Sequence, residues 1–207
     1  MRVETRHSID SRSSSSGYGT EWGGTDAAIH TMRETFIQDD TDAVILVDAS
    51  NAFNALNRKV ALHNVQYIAP SFATILINTY RMPSRLFVAG GKEIVSQEGT
   101  TQGDNLAMSF FTLATVPLQN DLRVVQPNVK QVWLADDATG AGKLAHLKQW
   151  WNAIISHGSK LGYFVNESKS WLILKDESKL EEAKQLFRRY EHKIYNIREE
   201  APRFSNR

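Results

Sequence analysis

Two adjacent aspartates, Asp136 and Asp137, follow the apolar run "VWLA" and precede "ATG". A third, Asp48, closes the run "AVILVDA" at Ala43 to Ala49. Neighbouring carboxylates repel one another, and no Lys or Arg adjoins the pair in sequence. If the two apolar runs are strands that pair, three carboxylates meet at one sheet edge. Such a cluster is costly unless neutralised, and a divalent cation is its natural partner. The chain contains no cysteine, so any metal must sit on oxygen or histidine ligands. Hard oxygen donors favour Mg²⁺ or Mn²⁺ over Zn²⁺. Two such ions about 3.5–4 Å apart serve phosphoryl transfer, one at the nucleophile and one at the leaving group. Consecutive strand residues point to opposite faces, so Asp136 is expected as the shared ligand and Asp137 as the weaker one. Standing alone, "DD" reads equally as a solvated polar turn.

The elements that must position these acids follow from periodicity. "AVILVDA" is apolar on both faces, as a strand in the middle of a sheet is. "KQVWLA" reads as a second central strand, with Asp136 and Asp137 as its turn. "SWLILK" (Ser170 to Lys175) is a third. "TDAAIHTMRETFIQ" reads as a helix capped by Thr25 or Asp26. "NALNRKVALHNVQYIA" and "SFATILINTYRM" read as helices parted by Pro70. "SRLFVAGGKEIVSQEG" carries a hairpin signal at Gly90-Gly91. "GDNLAMSFFTLATVPLQNDL" is a long apolar helix that Pro117 should kink or end. "LAHLKQWWNAIISHG" is an amphipathic helix with Gly158 as its stop. "ESKLEEAKQLFRRYEHKI" is a charged helix with alternating signs. Helices returning between strands predict an α/β or α+β sheet with helices on one face.

Composition sets outer bounds. The 207 residues suit one domain or slightly more, and a 42 % hydrophobic content supplies a core. Lys and Arg total 24 against 23 Asp and Glu, a formal charge of +1. That balance neither demands nor excludes nucleic acid. No apolar run reaches the roughly 18 residues of a membrane span, and residues 1–24 form a Ser-rich flexible leader without a signal core. The expectation is an intracellular chain, nuclear or cytoplasmic, with no membrane partner. "GAGK" lacks the first Gly and the Ser or Thr of a phosphate loop. His146 and His157 have no ligand partner at helical spacing, and Trp150-Trp151 reads as core plus partner surface.

Four segments in order, "VDASNAFNALNR", "EGTTQGDNLAM", "VWLADDATGAG" and "GYFVNESKSWLILK", resemble the palm of reverse transcriptases, the RNA-directed DNA polymerases of retroelements. The first resembles the form found in non-LTR-like or DIRS-like elements. The resemblance runs from about Ala43 to Lys175. It implies an α+β polymerase palm: an antiparallel, ferredoxin-like sheet with helices packed on one face. It implies two Mg²⁺ or Mn²⁺ ions on Asp48, Asp136 and Asp137, an RNA or DNA template with its primer, and dNTPs. Phe53, five positions after Asp48, corresponds to the aromatic gate that clashes with a ribose 2′-hydroxyl. Gln102 and Gly103 correspond to the segment contacting nucleotide and template. Lys169 corresponds to a lysine that meets the triphosphate or protonates pyrophosphate.

The chain also departs from that pattern. Leu134 stands where an aromatic is common, and Asn105 where proline is. Residues 25–41 read as a remnant of a fingers helix, and 42–175 as the palm with a partial fingers insertion at 60–100. Residues 176–207 read as a charged helix and tail, with no thumb. The expectation is a palm-centred fragment or a degenerate copy, active in polymerisation when complete. The alternative is a non-catalytic remnant that at most binds nucleic acid or protein. A two-metal nuclease or RNA polymerase is a third reading, and Phe53 argues against the RNA polymerase.

Overall fold

The computed structural model of the chain describes residues 24–101 and 103–196. At its centre is β1 (Ala43–Val47), flanked by β5 (Asp137–Gly142) and β6 (Trp171–Leu174). β4 (Lys130–Leu134) pairs outside β5, and β7 (Ile194–Asn196) outside β6, giving the order β4-β5-β1-β6-β7. The first three pairings are antiparallel. β7, which the expected helix of residues 177–194 leaves no room for, runs parallel to β6. The sheet is therefore mixed where an antiparallel one was expected.

Ile45 lies directly opposite Gly140 in the β1–β5 ladder, and Gln131 of β4 lies opposite Gly140 on its other side. These residues share one face, because cross-strand partners point the same way. Against that face pack α5 (Ala107–Val125) and α6 (Leu144–Leu161). A Cβ at Gly140 would stand 3.0 Å from the Trp150 ring, so glycine there admits α6. Gln131 is buried, with its amide oxygen and its amide nitrogen both hydrogen-bonded. Its Oε1 accepts from Trp150 Nε1 at 3.0 Å and Trp133 Nε1 at 3.2 Å, and its Nε2 donates to the Gln119 carbonyl at 2.8 Å. Trp150 and Trp151 are both buried, so the pair is core. Filling this face with Ile45, Val47, Phe110, Phe111, Leu147 and Ile154 stabilises by about 1.5–3 kcal/mol for each aliphatic or Phe side chain. The opposite face is barer around Leu46, which is exposed.

The remaining elements pack around this sheet and its helices. α1 (Gly24–Ile37) lies against β4 and β5. Lys175 Nζ donates to the carbonyls of Ile37 and Gln38 at 3.0 and 2.7 Å, satisfying acceptors at the end of α1. α2 (Ala52–Ala55), α3 (Arg58–Ile68) and α4 (Pro70–Tyr80) follow β1. Pro70 opens α4 at its first turn, where the missing N–H costs nothing. The hairpin of β2 (Ser84–Val88) and β3 (Lys92–Ser96) turns at Gly90 and Gly91, whose φ of +100° and +86° few other residues adopt. No described helix is long and apolar enough to cross a membrane.

Helix boundaries refine the expectations, and at Pro117, where a kink or an end was expected, the helix does not end. α5 continues past Pro117 to Val125; the burial of Leu118 and Leu122 holds the turns beyond the proline. Asn64 Nδ2 donates to the Ala114 carbonyl at 2.8 Å beside that proline. α6 runs past Gly158 to Leu161, and Gly162, at φ +85°, is the glycine that ends it. Gly158 serves close packing instead, since a Cβ there would lie 2.8 Å from the Tyr163 carbonyl oxygen. The single charged helix expected after Lys175 is a 3₁₀ turn, then α7 (Leu180–Leu186), then a second 3₁₀ turn at Arg188–Lys193. Phe187 enters the core there and ends α7. Of the leader expected at residues 1–24, residues 1–23 lie outside the described residues and Gly24 opens α1.

Candidate active site

β4 and β5 form a tight hairpin in which Leu134 pairs with Asp137. Ala135 and Asp136 are therefore its two turn residues. Ala135 has φ +54°, the left-handed region that costs a residue with a Cβ roughly 1–2 kcal/mol. Such a turn redirects the chain at Asp136 and lifts Asp136 out of strand alternation.

The β1–β5 ladder ends at Val47 opposite Ala138. One step further brings Asp48 opposite Asp137. By alternation both fall on the Leu46 face, away from α5 and α6. The register thus sets Asp137, rather than Asp136, directly across from Asp48. Burial and the charges of Asp136 and Asp48 together push the Asp137 carboxyl above its usual range, although one side of it remains open to solvent. None of the three acids forms an ion pair among the described residues. Nor do the described residues hold three or more His, Asp or Glu side chains already gathered around a point that could hold a metal ion. By type, the three carboxylates are the hard oxygen donors that a divalent cation takes.

Asp48 is held through its backbone by the segment after α6. Its N–H donates to Ser170 Oγ at 3.2 Å, and its carbonyl accepts from the Asn166 N–H at 2.8 Å. The Ser170 hydroxyl donates onward to the Asn166 carbonyl at 2.8 Å. Ala49 bridges Val165, and the Ser50 N–H donates to the Phe164 carbonyl at 2.7 Å. The fourth segment is thereby fastened along the strand end that carries Asp48. Lys169 sits on that segment, exposed. From the same segment Tyr163 reaches under the sheet, and its hydroxyl donates to the Asp136 carbonyl at 2.8 Å. Its phenol is buried, and burial with the nearby charges of Asp137, Asp136 and Asp48 pushes its pKa well up, so it stays a neutral donor.

Phe53 is half-buried, with its ring 4.7 Å from that of Phe111 in α5. Its carbonyl accepts the Thr100 N–H at 2.7 Å. The 96–100 segment is clamped against the first motif by Arg58, which is buried. The guanidinium donates to the carbonyls of Gly99 at 2.9 Å, Ser96 at 3.2 Å and Glu98 at 2.8 Å, while the Arg58 N–H donates to Glu98 Oε2 at 2.7 Å. Gly103 follows, at φ +86° with open space beside it, whereas Gln102 lies outside the described residues. Asp104 is bound inward: it accepts the Tyr80 hydroxyl and, at 2.9 Å, the Leu106 N–H. These two bonds, the Tyr80 one foremost, hold its carboxyl below the usual range. Burial, with the Asp104 bond and charge, pushes the Tyr80 phenol up. The acid of "QGD" thus anchors the start of α5.

The structure therefore brings Asp48, Asp136 and Asp137 to one end of the sheet, with the Lys169 segment laced to it and Phe53 in α2, which follows β1. Arg58, Tyr80, Tyr163 and Ser170 are positioning residues that sequence reasoning missed. The one available signal was a tyrosine after the helix-ending Gly162, since a buried tyrosine needs a partner for its hydroxyl.

No protein-family model matches the chain, nor does any curated protein. Solved structures do. A telomerase from Candida tropicalis, in complex with the TWJ fragment of telomeric RNA, superposes with a TM-score of 0.60 at 14% identity, covering 80% of this chain and 32% of its own. The apo telomerase from Candida tropicalis gives 0.57 at 14%, covering 74% and 32%. The Candida albicans telomerase with the same kind of RNA fragment gives 0.56 at 13%, covering 72% and 31%. The fold is a polymerase palm. The palm sheet and its helices span about a third of the length of each of those telomerase chains. Within this α+β palm, the carboxylates stand at the end of the sheet where the two central strands meet.

Proposed function

We propose that this chain is the palm of an RNA-directed DNA polymerase of retroelement type, transferring dNTPs onto a primer 3′-hydroxyl under an RNA or DNA template. The observation that carries this reading is the register: Asp48 falls opposite a hairpin that presents Asp136 and Asp137. The telomerase-like fold supports it. Asp48, Asp136 and Asp137 would hold two Mg²⁺ or Mn²⁺ ions. When bound, those ions supply activation of the primer hydroxyl and charge neutralisation at the leaving pyrophosphate. Phe53, braced on Phe111, presents a flat ring beside the strand end and excludes a 2′-hydroxyl. Gly103, with open space beside it, leaves backbone free to approach the nucleotide together with Gln102. Lys169, exposed on the segment laced to Asp48, offers its ammonium to the triphosphate.

A second reading has its own observation. The acids are not gathered into a ready metal cluster among the described residues, and Leu134 stands where an aromatic is common. On that reading the chain is an inactive retroelement remnant that binds nucleic acid or protein.

Primer extension separates the two. The purified chain is given a primed RNA template, Mg²⁺ or Mn²⁺, and dNTPs or NTPs. Extension with dNTPs that is abolished by Asp48→Asn and by Asp136→Asn is the expected outcome, with Phe53→Ala admitting NTPs. Extension indifferent to both Asn variants would sink the metal site. Template binding without extension leaves the inactive remnant standing.

A further inference from the structure

We propose that Tyr163 is a positioning residue for the Asp136-Asp137 pair, setting the direction of both carboxylates from behind the sheet. This inference rests on the metal-site reading above.

The Asp136–Asp137 peptide joins the two acids, so its orientation determines where both side chains leave the backbone. Tyr163 donates its hydroxyl to the carbonyl of that peptide at 2.8 Å. The Leu134–Asp137 pair closes the turn, and one of its two residues is strained. Ala135 occupies a left-handed φ of +54° that glycine would adopt freely. A strained turn persists where its surroundings over-determine it, and Tyr163 is built to do so. It is 1 % exposed. Its ring packs against Trp133 of β4, two residues before the turn, with centroids 5.4 Å apart. Its N–H donates to the Gly158 carbonyl at 2.9 Å, and Gly158 leaves room for its ring and backbone. Gly162 before it sits so close to Ala55 that a Cβ would stand 2.0 Å from the Ala55 carbonyl oxygen. The tyrosine is thus fixed from both sides before its hydroxyl reaches the turn. Three residues later, the Asn166 N–H holds the Asp48 carbonyl. One short segment therefore aligns both halves of the carboxylate set.

The test uses the full chain and Mn²⁺ as probe, followed by calorimetry, with melting curves recorded in parallel. Tyr163→Phe removes the hydroxyl and keeps the ring. It should weaken Mn²⁺ binding about 10-fold, the low end of what loss of a group supporting metal ligands costs. Without metal, hydrogen exchange should speed up at the amides of residues 135–137 while the rest of the sheet stays protected. Trp133→Phe disturbs the same packing but leaves the hydroxyl, and should keep binding near wild type. Binding by Tyr163→Phe within about twofold of wild type, with unchanged exchange at the turn, overturns the proposal, as does an equal loss in Trp133→Phe, which would reduce the role to packing. Asp48→Asn distinguishes the underlying reading. If it binds Mn²⁺ as the wild type does, the metal site fails, whereas the exchange result still decides whether Tyr163 holds the turn.

Discussion

Asp137 stands where two other carboxylates press on it, and its titration records that pressure. Burial and the charges of Asp136 and Asp48 raise its pKa in the folded chain. At a pH where the unfolded chain has lost this proton, the folded chain still holds it. The native state then binds more protons, so stability falls as pH rises from the ordinary aspartate range through the raised value. Asp137→Asn removes the repelling charge. With metal chelated, it should raise the melting temperature near neutral pH, and the gain should shrink to nothing at a pH below the ordinary range, about 3.9 for Asp. Melting curves across that interval check it, and an Asn variant less stable than wild type at neutral pH would contradict it. The acids themselves were legible from sequence because a carboxylate pair after a buried strand is conspicuous. Which one faces Asp48 was not, because that depends on the pairing register and on where the two-residue turn falls.

Among the elements, the loop after α6 carries a disproportionate share of the site's geometry. Gly162 makes the sharp exit, Tyr163 braces the turn, and Asn166 and Ser170 hold Asp48. Two glycines at similar φ separate conformational strain from crowding. Gly103 (φ +86°) has open space where a Cβ would go, while Gly162 (φ +85°) would place one 2.0 Å from the Ala55 carbonyl oxygen. Gly103→Ala should cost only the left-handed penalty, roughly 1–2 kcal/mol. Gly162→Ala should cost clearly more, because the clash with backbone is added. Urea denaturation of the two variants measures the difference, and equal losses would refute the crowding argument. Periodicity located most helices and strands of the palm up to Lys175, but it left β5 unassigned, because "DATGAG" has no apolar alternation, and it read α2 and α3 as one helix. It placed the stop of α6 at Gly158 because a glycine near a helix end reads as a cap. Only packing against Tyr163 shows that this glycine is a clearance and Gly162 the cap.

For the whole molecule, the pairing of β1 with β5 carries Asp48 and Asp137 to the same end of the sheet, while β4, expected as a central strand, lies at its edge, so folding itself brings the charges together. A cation that binds only the folded chain should stabilise it by mass action. At ten times its dissociation constant the gain is about 1.4 kcal/mol, or roughly 3–5 °C in melting temperature for a chain of this size. Mg²⁺ or Mn²⁺ should produce that shift in the wild type and not in Asp48→Asn. An equal shift in both would place the ion elsewhere.

Composition, periodicity and motif order determined the α+β palm, the three acids and the absence of thiolate chemistry, since these depend on residue types and local spacing. The parallel strand β7 and the broken helix before it were decided by tertiary packing, through the burial of Phe187. So were the clamp of Arg58 on residues 96–99 and the tyrosine behind the turn. Each joins groups distant in the chain: 27 positions separate Tyr163 from Asp136, and 122 separate Asp48 from Ser170. No periodicity encodes such partnerships; they exist only once the strands have chosen their register.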